Sequence, residues 1–178
     1  MGKNIAFIDS EISIETKTIV DLGAVRQDHS SFHGASTKDF CAFLSNCDYL
    51  CGHNIVHHDM KYLEPEFARY HMNPQMVVID TLYMSPLLFP NRPYHALLKD
   101  DKLQADELNN PLNDSLKAER LFYDEVNAFR SLSSAKKQIC CCLLYPFPEF
   151  QGFFRYVGFI RVSAFLHSCA PLHTLTAI

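Results

Sequence analysis

The sequence predicts an α/β fold, a mixed β-sheet with helices packed against it. Three observations carry this expectation. The runs "IAFI" (5–8) and "MVVI" (76–79) are apolar without alternation, the pattern of short strands buried on both faces. Segments of helical period separate and follow the strands, in the order β, β, β, α, β, α, β and then helices. The chain has 178 residues, 48% apolar and 20% charged, enough to bury one core of ordinary domain size.

The elements follow in order. Residues 4–9 form the first strand. "KTIVDLGAVRQ" (17–27) and "SSFHG" (30–34) form two more, with "QDHS" turning between them. "TKDFCAFLSN" (37–46) sets Phe40, Phe43 and Leu44 at helical spacing, with Ser36 or Thr37 as its cap. "YLCGHN" (49–54) is a short strand running into a glycine-containing turn. "HDMKYLEPEFARYH" (58–71) is helical by pattern, and its Pro65 is expected to kink or divide it. "MVVIDTL" (76–82) is a strand, and "YMSPLLFPNRP" reads as irregular because of its three prolines. "DSLKAERLFYDEVNAF" (114–129) is a helix with Leu121, Phe122, Val126 and Phe129 near one face.

The composition shifts near residue 131. Residues 1–130 hold 12 Lys and Arg against 19 Asp and Glu, whereas residues 131–178 hold 4 against 1. The later stretch is rich in aromatics, so the chain divides into a first domain, 1–130, and a helical, aromatic tail or the start of a further region, 131–178. The net charge of −4 argues against a domain that grips nucleic acid by bulk positive charge. Any phosphate contact must then be local or carried by metal ions. Seven cysteines, three of them adjacent and none in a CxxC pair, read as reduced, mostly buried thiols of a cytoplasmic protein. No signal peptide and no membrane span is expected.

Two acids, Asp9 and Glu11, end the first strand in "FIDSE". Residues two apart in a strand share a face, so the two carboxylates stand side by side. Their repulsion is relieved most simply by a divalent cation, and hard oxygen donors suit Mg²⁺ or Mn²⁺. Asp59 and Asp114 each stand at a helix start, where the plainest role of an Asp is an N-cap. The combination of all four favours a site.

"FIDSE", "GHNIVHHDMKYL", "VIDTL" and "NNPLNDSLKAERLF", taken in order, resemble the successive motifs of the DEDD exonucleases. These are proofreading-type, DnaQ-like 3′–5′ exonucleases with a ribonuclease H-like fold. The resemblance covers about residues 4–129. It implies that Asp9, Glu11, Asp59 and Asp114 hold two Mg²⁺ or Mn²⁺ ions about 3.5–4 Å apart at the scissile phosphate. It also implies that Ser10, Ile12, His53 and Asn54 lie against the substrate, and that Asp80 of "VIDTL" is structural. The expected partner is a single-stranded 3′ end, DNA ahead of RNA, with a polymerase or helicase in cis or in trans.

The pattern departs at the general base. The family places a His five residues before the last Asp, or a Tyr four before. Here these positions hold Asn109 and Asn110, and an amide orients a water without deprotonating it. Three readings follow. Another histidine reaches in, with His95, His57 and His58 nearest in sequence. The chemistry proceeds slowly without a protein base. Or the domain binds nucleic-acid ends without cutting. His58 takes the place of a buried Phe in the family and is expected to be packed. The stretch from residue 132 resembles the linker of bacterial RecQ-type helicase fusions, but no GxxxxGK[ST] phosphate loop exists, so this chain carries no helicase motor. A plain α/β domain, its acids serving as caps and surface charges, is the reading outside these classes.

Overall fold

A computed structural model describes residues 3–93, 95, 97 and 110–159. Asn109 and the final 19 residues lie outside that set. Five strands alternate with helices: β1 (Ile5–Ile12), β2 (Ile19–Arg26), β3 (Ser31–Gly34), α1 (Thr37–Leu44), β4 (Tyr49–Gly52), α2 (Met60–Arg69), β5 (Val77–Asp80), α3 (Thr81–Leu88), α4 (Pro111–Ser131), α5 (Ser134–Leu144) and α6 (Pro148–Val157). The spatial order is β3-β2-β1-β4-β5. β1, β2 and β3 pair antiparallel, whereas β1, β4 and β5 pair parallel. The parallel pairings require crossovers, and α1 and α2 supply them.

β1 lies at the centre, which explains its lack of alternation. Ile5 and Phe7 face one side, against Phe122, Val126 and Phe129 of α4 and Phe153, Phe154 and Tyr156 of α6. Ala6 and Ile8 face the other, against Phe40 and Leu44 of α1 and Leu63 and Phe67 of α2. The first core runs across residue 130 without a break. α6 can lie so close to β5 because residue 152 is glycine: a Cβ there would come within 1.9 Å of the Val78 carbonyl oxygen. Phe153, Phe154 and Tyr156 thus cover the sheet, whereas Phe147 is exposed.

Three local expectations are corrected. Pro65 sits inside α2 without dividing it. The segment read as irregular is α3, because Asp80 accepts from the Leu82 N–H and starts a helix that accommodates Pro86. The His58 side chain is about half exposed rather than packed. Among the described cysteines, Cys41, Cys47, Cys51 and Cys141 are buried. Burial pushes the Cys41 thiol up to about 11, so it stays protonated and unreactive. Among the described residues, no helix is long and apolar enough to cross a membrane.

Candidate metal centre

Asp9 and Glu11 leave the C-terminal end of β1 on the α4 side of the sheet. Opposite Asp9 in the β1–β2 register stands Gly23. A Cβ on Gly23 would lie 2.2 Å from both Leu112 N and Pro111 C, so the first turn of α4 rests directly on that glycine. This contact aims Asp114 at β1. Oxygens of Asp9, Glu11 and Asp114, all half-buried, lie within 4.8 Å of one another. Three hard carboxylate donors at that spacing fit a divalent cation such as Mg²⁺ or Mn²⁺.

Asp114 is not a cap. Asn110 caps α4, its side chain accepting from Leu112 N at 3.0 Å and Asn113 N at 3.4 Å, with Pro111 at the first helical position. The amide standing at the tyrosine-type helper position therefore has a structural task. Asp114 Oδ1 receives Lys117 Nζ at 3.2 Å, one turn along the same helix face. Nothing in the sequence reading singled out Lys117, although its spacing from Asp114 was the available signal.

Asp59 is not one of the three clustered acids. It precedes α2 in αR geometry, and its side chain makes no cap hydrogen bond. Its carboxylate is buried, accepts the Ser10 hydroxyl and lies 3.7 Å from His58 Nδ1. Strand alternation explains the separation: Ser10 points away from the face that carries Asp9 and Glu11. The hydrogen bond to Asp59 raises the His58 pKa, against partial desolvation. Ile12 is half-buried where the β1–β2 register shifts.

The turn after β4 is held by Asp80. Its carboxylate accepts from the N–H groups of Asn54, Val56 and Leu82 at 2.9, 3.1 and 2.9 Å. Burial pushes Asp80 up, while those three donors favour its ionised form. The clamp keeps Asn54 in the left-handed region at φ 63° and sets His53 beside α3. Thr81 Oγ1 donates to the Gly52 carbonyl, so it accepts from His53 Nδ1–H at 2.9 Å. That leaves the His53 Nε2 lone pair buried and without a partner among the described residues. Burial lowers the His53 pKa to about 4, although the Asp114 charge opposes the shift; His95 adds to it. His95 itself sits with Nδ1 2.9 Å from Ser85 Oγ.

His53 gives a pH prediction. Its depressed folded pKa means that the unfolded chain takes up the proton first, between the ordinary 6.5 and about 4. The stability of the unaltered chain relative to His53→Asn should therefore fall by roughly 1–3 kcal/mol from pH 7 to pH 4. Paired urea titrations measure it, and a pH-independent difference would refute the buried neutral imidazole.

No family model matches the chain, and no curated protein matches it. Solved structures do. The family B DNA polymerase from the hyperthermophilic archaeon Pyrobaculum calidifontis superposes with a TM-score of 0.50 at 14% identity, over 89% of this chain and 30% of the polymerase. E. coli exonuclease I in complex with a 5cy-dA13 oligonucleotide gives a TM-score of 0.43 at 12% identity, over 78% of this chain and 45% of that one. The same enzyme with a dA16 oligonucleotide gives 0.42. The chain thus spans less than half the length of these structures. The fold is α/β and ribonuclease H-like, a five-stranded mixed sheet flanked by helices.

Proposed function

We propose that this protein is a metal-dependent exonuclease that removes nucleotides from the 3′ end of single-stranded nucleic acid, DNA ahead of RNA. The observation that carries the reading is the convergence of Asp9, Glu11 and Asp114 on one half-buried spot between β1 and α4. These residues would hold Mg²⁺ or Mn²⁺. Such an ion, when bound, supplies charge neutralisation at phosphate and activates water for attack. The chain's own residues do the rest. Asp59, fixed by Ser10, adds negative charge that draws cations to the cleft. The His53 Nε2 lone pair is an acceptor suited to a hydroxyl of the terminal sugar, and its lowered pKa keeps it an acceptor throughout neutral pH.

The same lowered pKa makes His53 a weak base. His95 and Asp114 both act electrostatically on His53, and His58 feels the charges of Asp59 and Glu11. A positioned base contributes typically 10²–10⁴-fold, so a site lacking one would be slow without being inert. This favours a second reading, a weakened domain that holds nucleic-acid 3′ ends. Association with a polymerase or helicase, and action in the cytoplasm, belong to either reading.

A 5′-labelled single strand incubated with Mn²⁺ or Mg²⁺ decides between them. The enzyme should produce a ladder shortening from the 3′ end, and Asp9→Asn or Asp114→Asn should remove it. Tight binding of 3′ ends with no ladder under either metal establishes the end-binding protein instead. An RNA strand run in parallel settles sugar preference. The metal is checked separately: at 100 times its Kd, Mn²⁺ should stabilise the unaltered fold by about 2.7 kcal/mol, and this gain should vanish in Asp9→Asn.

A further inference from the structure

We infer that His57, Tyr83 and Phe150 form an aromatic ledge on which an unpaired base of the bound strand stacks, so that α6 supplies part of the substrate surface. This rests on the nucleic-acid reading above and says where a base of that strand lies. Three elements meet at the ledge: the turn after β4 brings His57, α3 brings Tyr83 and α6 brings Phe150. Tyr83 is the middle ring, its centroid 5.9 Å from His57 and 6.0 Å from Phe150, both in edge-to-face contact. Such contacts fix the orientation of the rings. The backbone beneath them is fixed too. Asp80 and Thr81, at the start of α3, hold the turn through Asn54, Val56 and His53, and Gly152 seats α6 on β5.

The place of the ledge argues for a base. The turn that carries His57 borders the three-acid cluster: His53 feels the charge of Asp114, and His58 that of Glu11. A strand with its terminal phosphate at those acids has its nearest bases within reach of this turn. The His57 side chain is 52% exposed, and Tyr83 and Phe150 are half-buried, so ring surface stays open to solvent. The surrounding charges disfavour the rest of the strand. Glu149 lies 3.3 Å from His57, and the charges of Asp80 and Glu149 both reach Tyr83. Two carboxylates repel a phosphate here, whereas a base is neutral and offers a π-face to an aromatic ring. Phe150 also packs on the edge of the α4-side core, which anchors the ledge. Glu149 is a positioning residue on this account, because it holds the His57 ring.

The test reads strand binding by fluorescence anisotropy, with the full chain, a fluorescein-labelled oligothymidylate and Ca²⁺ in place of Mn²⁺, the strand being checked intact on a gel. A second set of strands carries one abasic sugar, moved stepwise from the 3′ end. For the unaltered chain, one position near that end should cost roughly 5- to 150-fold in affinity, the range for one stacked base. His57→Ala, Tyr83→Leu and Phe150→Leu should each weaken the intact strand several-fold and leave the strand abasic at that position unaffected. A charge effect would persist on the abasic strand, whereas stacking cannot. An abasic scan with no sensitive position overturns the inference, whether or not the variants fold. So do variants, folded by circular dichroism, that lose the same factor on intact and abasic strands, or lose nothing; His57 is exposed, so His57→Ala should fold. Failure of the unaltered chain to bind any strand, intact or abasic, is a distinct result, because it removes the nucleic-acid reading itself and the ledge with it.

Discussion

Gly23→Ala should eliminate Mn²⁺-dependent stabilisation and nuclease activity together, while destabilising the metal-free fold by about 1–3 kcal/mol, the usual cost of overpacking. The added methyl would meet backbone, not a side-chain tip: Leu112 N and Pro111 C at 2.2 Å and Pro111 O at 2.4 Å. Backbone at a capped helix start cannot move aside alone. Asn110 and Pro111 fix the first turn, so α4 must shift as a unit at that end. Asp114 lies in the same turn, and a shift of an ångström or two takes its carboxylate out of the range that defines the three-acid cluster. The far end of α4 is anchored by Phe122, Val126 and Phe129 in the core, so the fold should survive with its centre dispersed. Calorimetry with and without Mn²⁺ reads both effects. A Gly23→Ala protein with an unchanged Mn²⁺ response would mean that α4 does not set the position of Asp114.

Glu125→Met should make the protein more stable, and increasingly so as pH rises. Glu125 is fully buried on α4, and neither carboxyl oxygen has a hydrogen-bond partner among the described residues. Desolvation first, then the nearby Asp80 charge, pushes its pKa up to about 10, with Arg92 opposing. The sign follows from the raised value. The folded chain keeps the proton while the unfolded chain releases it near the ordinary 4.5, so stability is complete below pH 4.5 and declines as pH rises toward 10. At about 1.4 kcal/mol per pH unit, the loss between pH 4.5 and 7 is roughly 3 kcal/mol. Methionine has similar volume and nothing to ionise, so the variant should recover that amount at pH 7 and more at pH 9. Between pH 4.5 and 6.5 the slopes from Glu125 and His53 oppose one another, which predicts a nearly flat stability profile there in the unaltered chain and a decline above. Equal stabilisation by Glu125→Met at pH 5 and pH 9 would show that Glu125 is not protonated in the fold.

The adjacency of Asp9 and Glu11 was legible because it depends on one number, the two-residue period of a strand. That β1 is covered on both faces was legible for a similar reason, since its apolar run does not alternate. Asp114 was legible as a helix-start acid, but its release from capping was not, because that depended on Asn110 taking the task. Asp59 was harder. Its role turns on Ser10, which the same period places on the opposite side of β1 from the paired acids; what the sequence does not show is that Asp59, 49 residues later, meets that serine. α3 was missed because three prolines outweighed the capping signal of Asp80. Gly23 matters only through what it touches across the sheet, and such a contact leaves no local mark. Asn109, on which the question of a general base turned, lies outside the described residues.

The core on the α4 side has a consequence for the order of events at synthesis. Phe7 of β1 packs in the cluster that includes Phe153, Phe154 and Tyr156, and the Lys3 ammonium reaches the Tyr156 carbonyl. β1 is therefore closed over by a helix made about 145 residues later. At 5–20 residues per second this interval is roughly 7–30 s, far longer than collapse or helix formation takes. Throughout it, one apolar face of β1, β4 and β5 has only nascent chain to cover it. That core is complete only once α6 has cleared the exit tunnel.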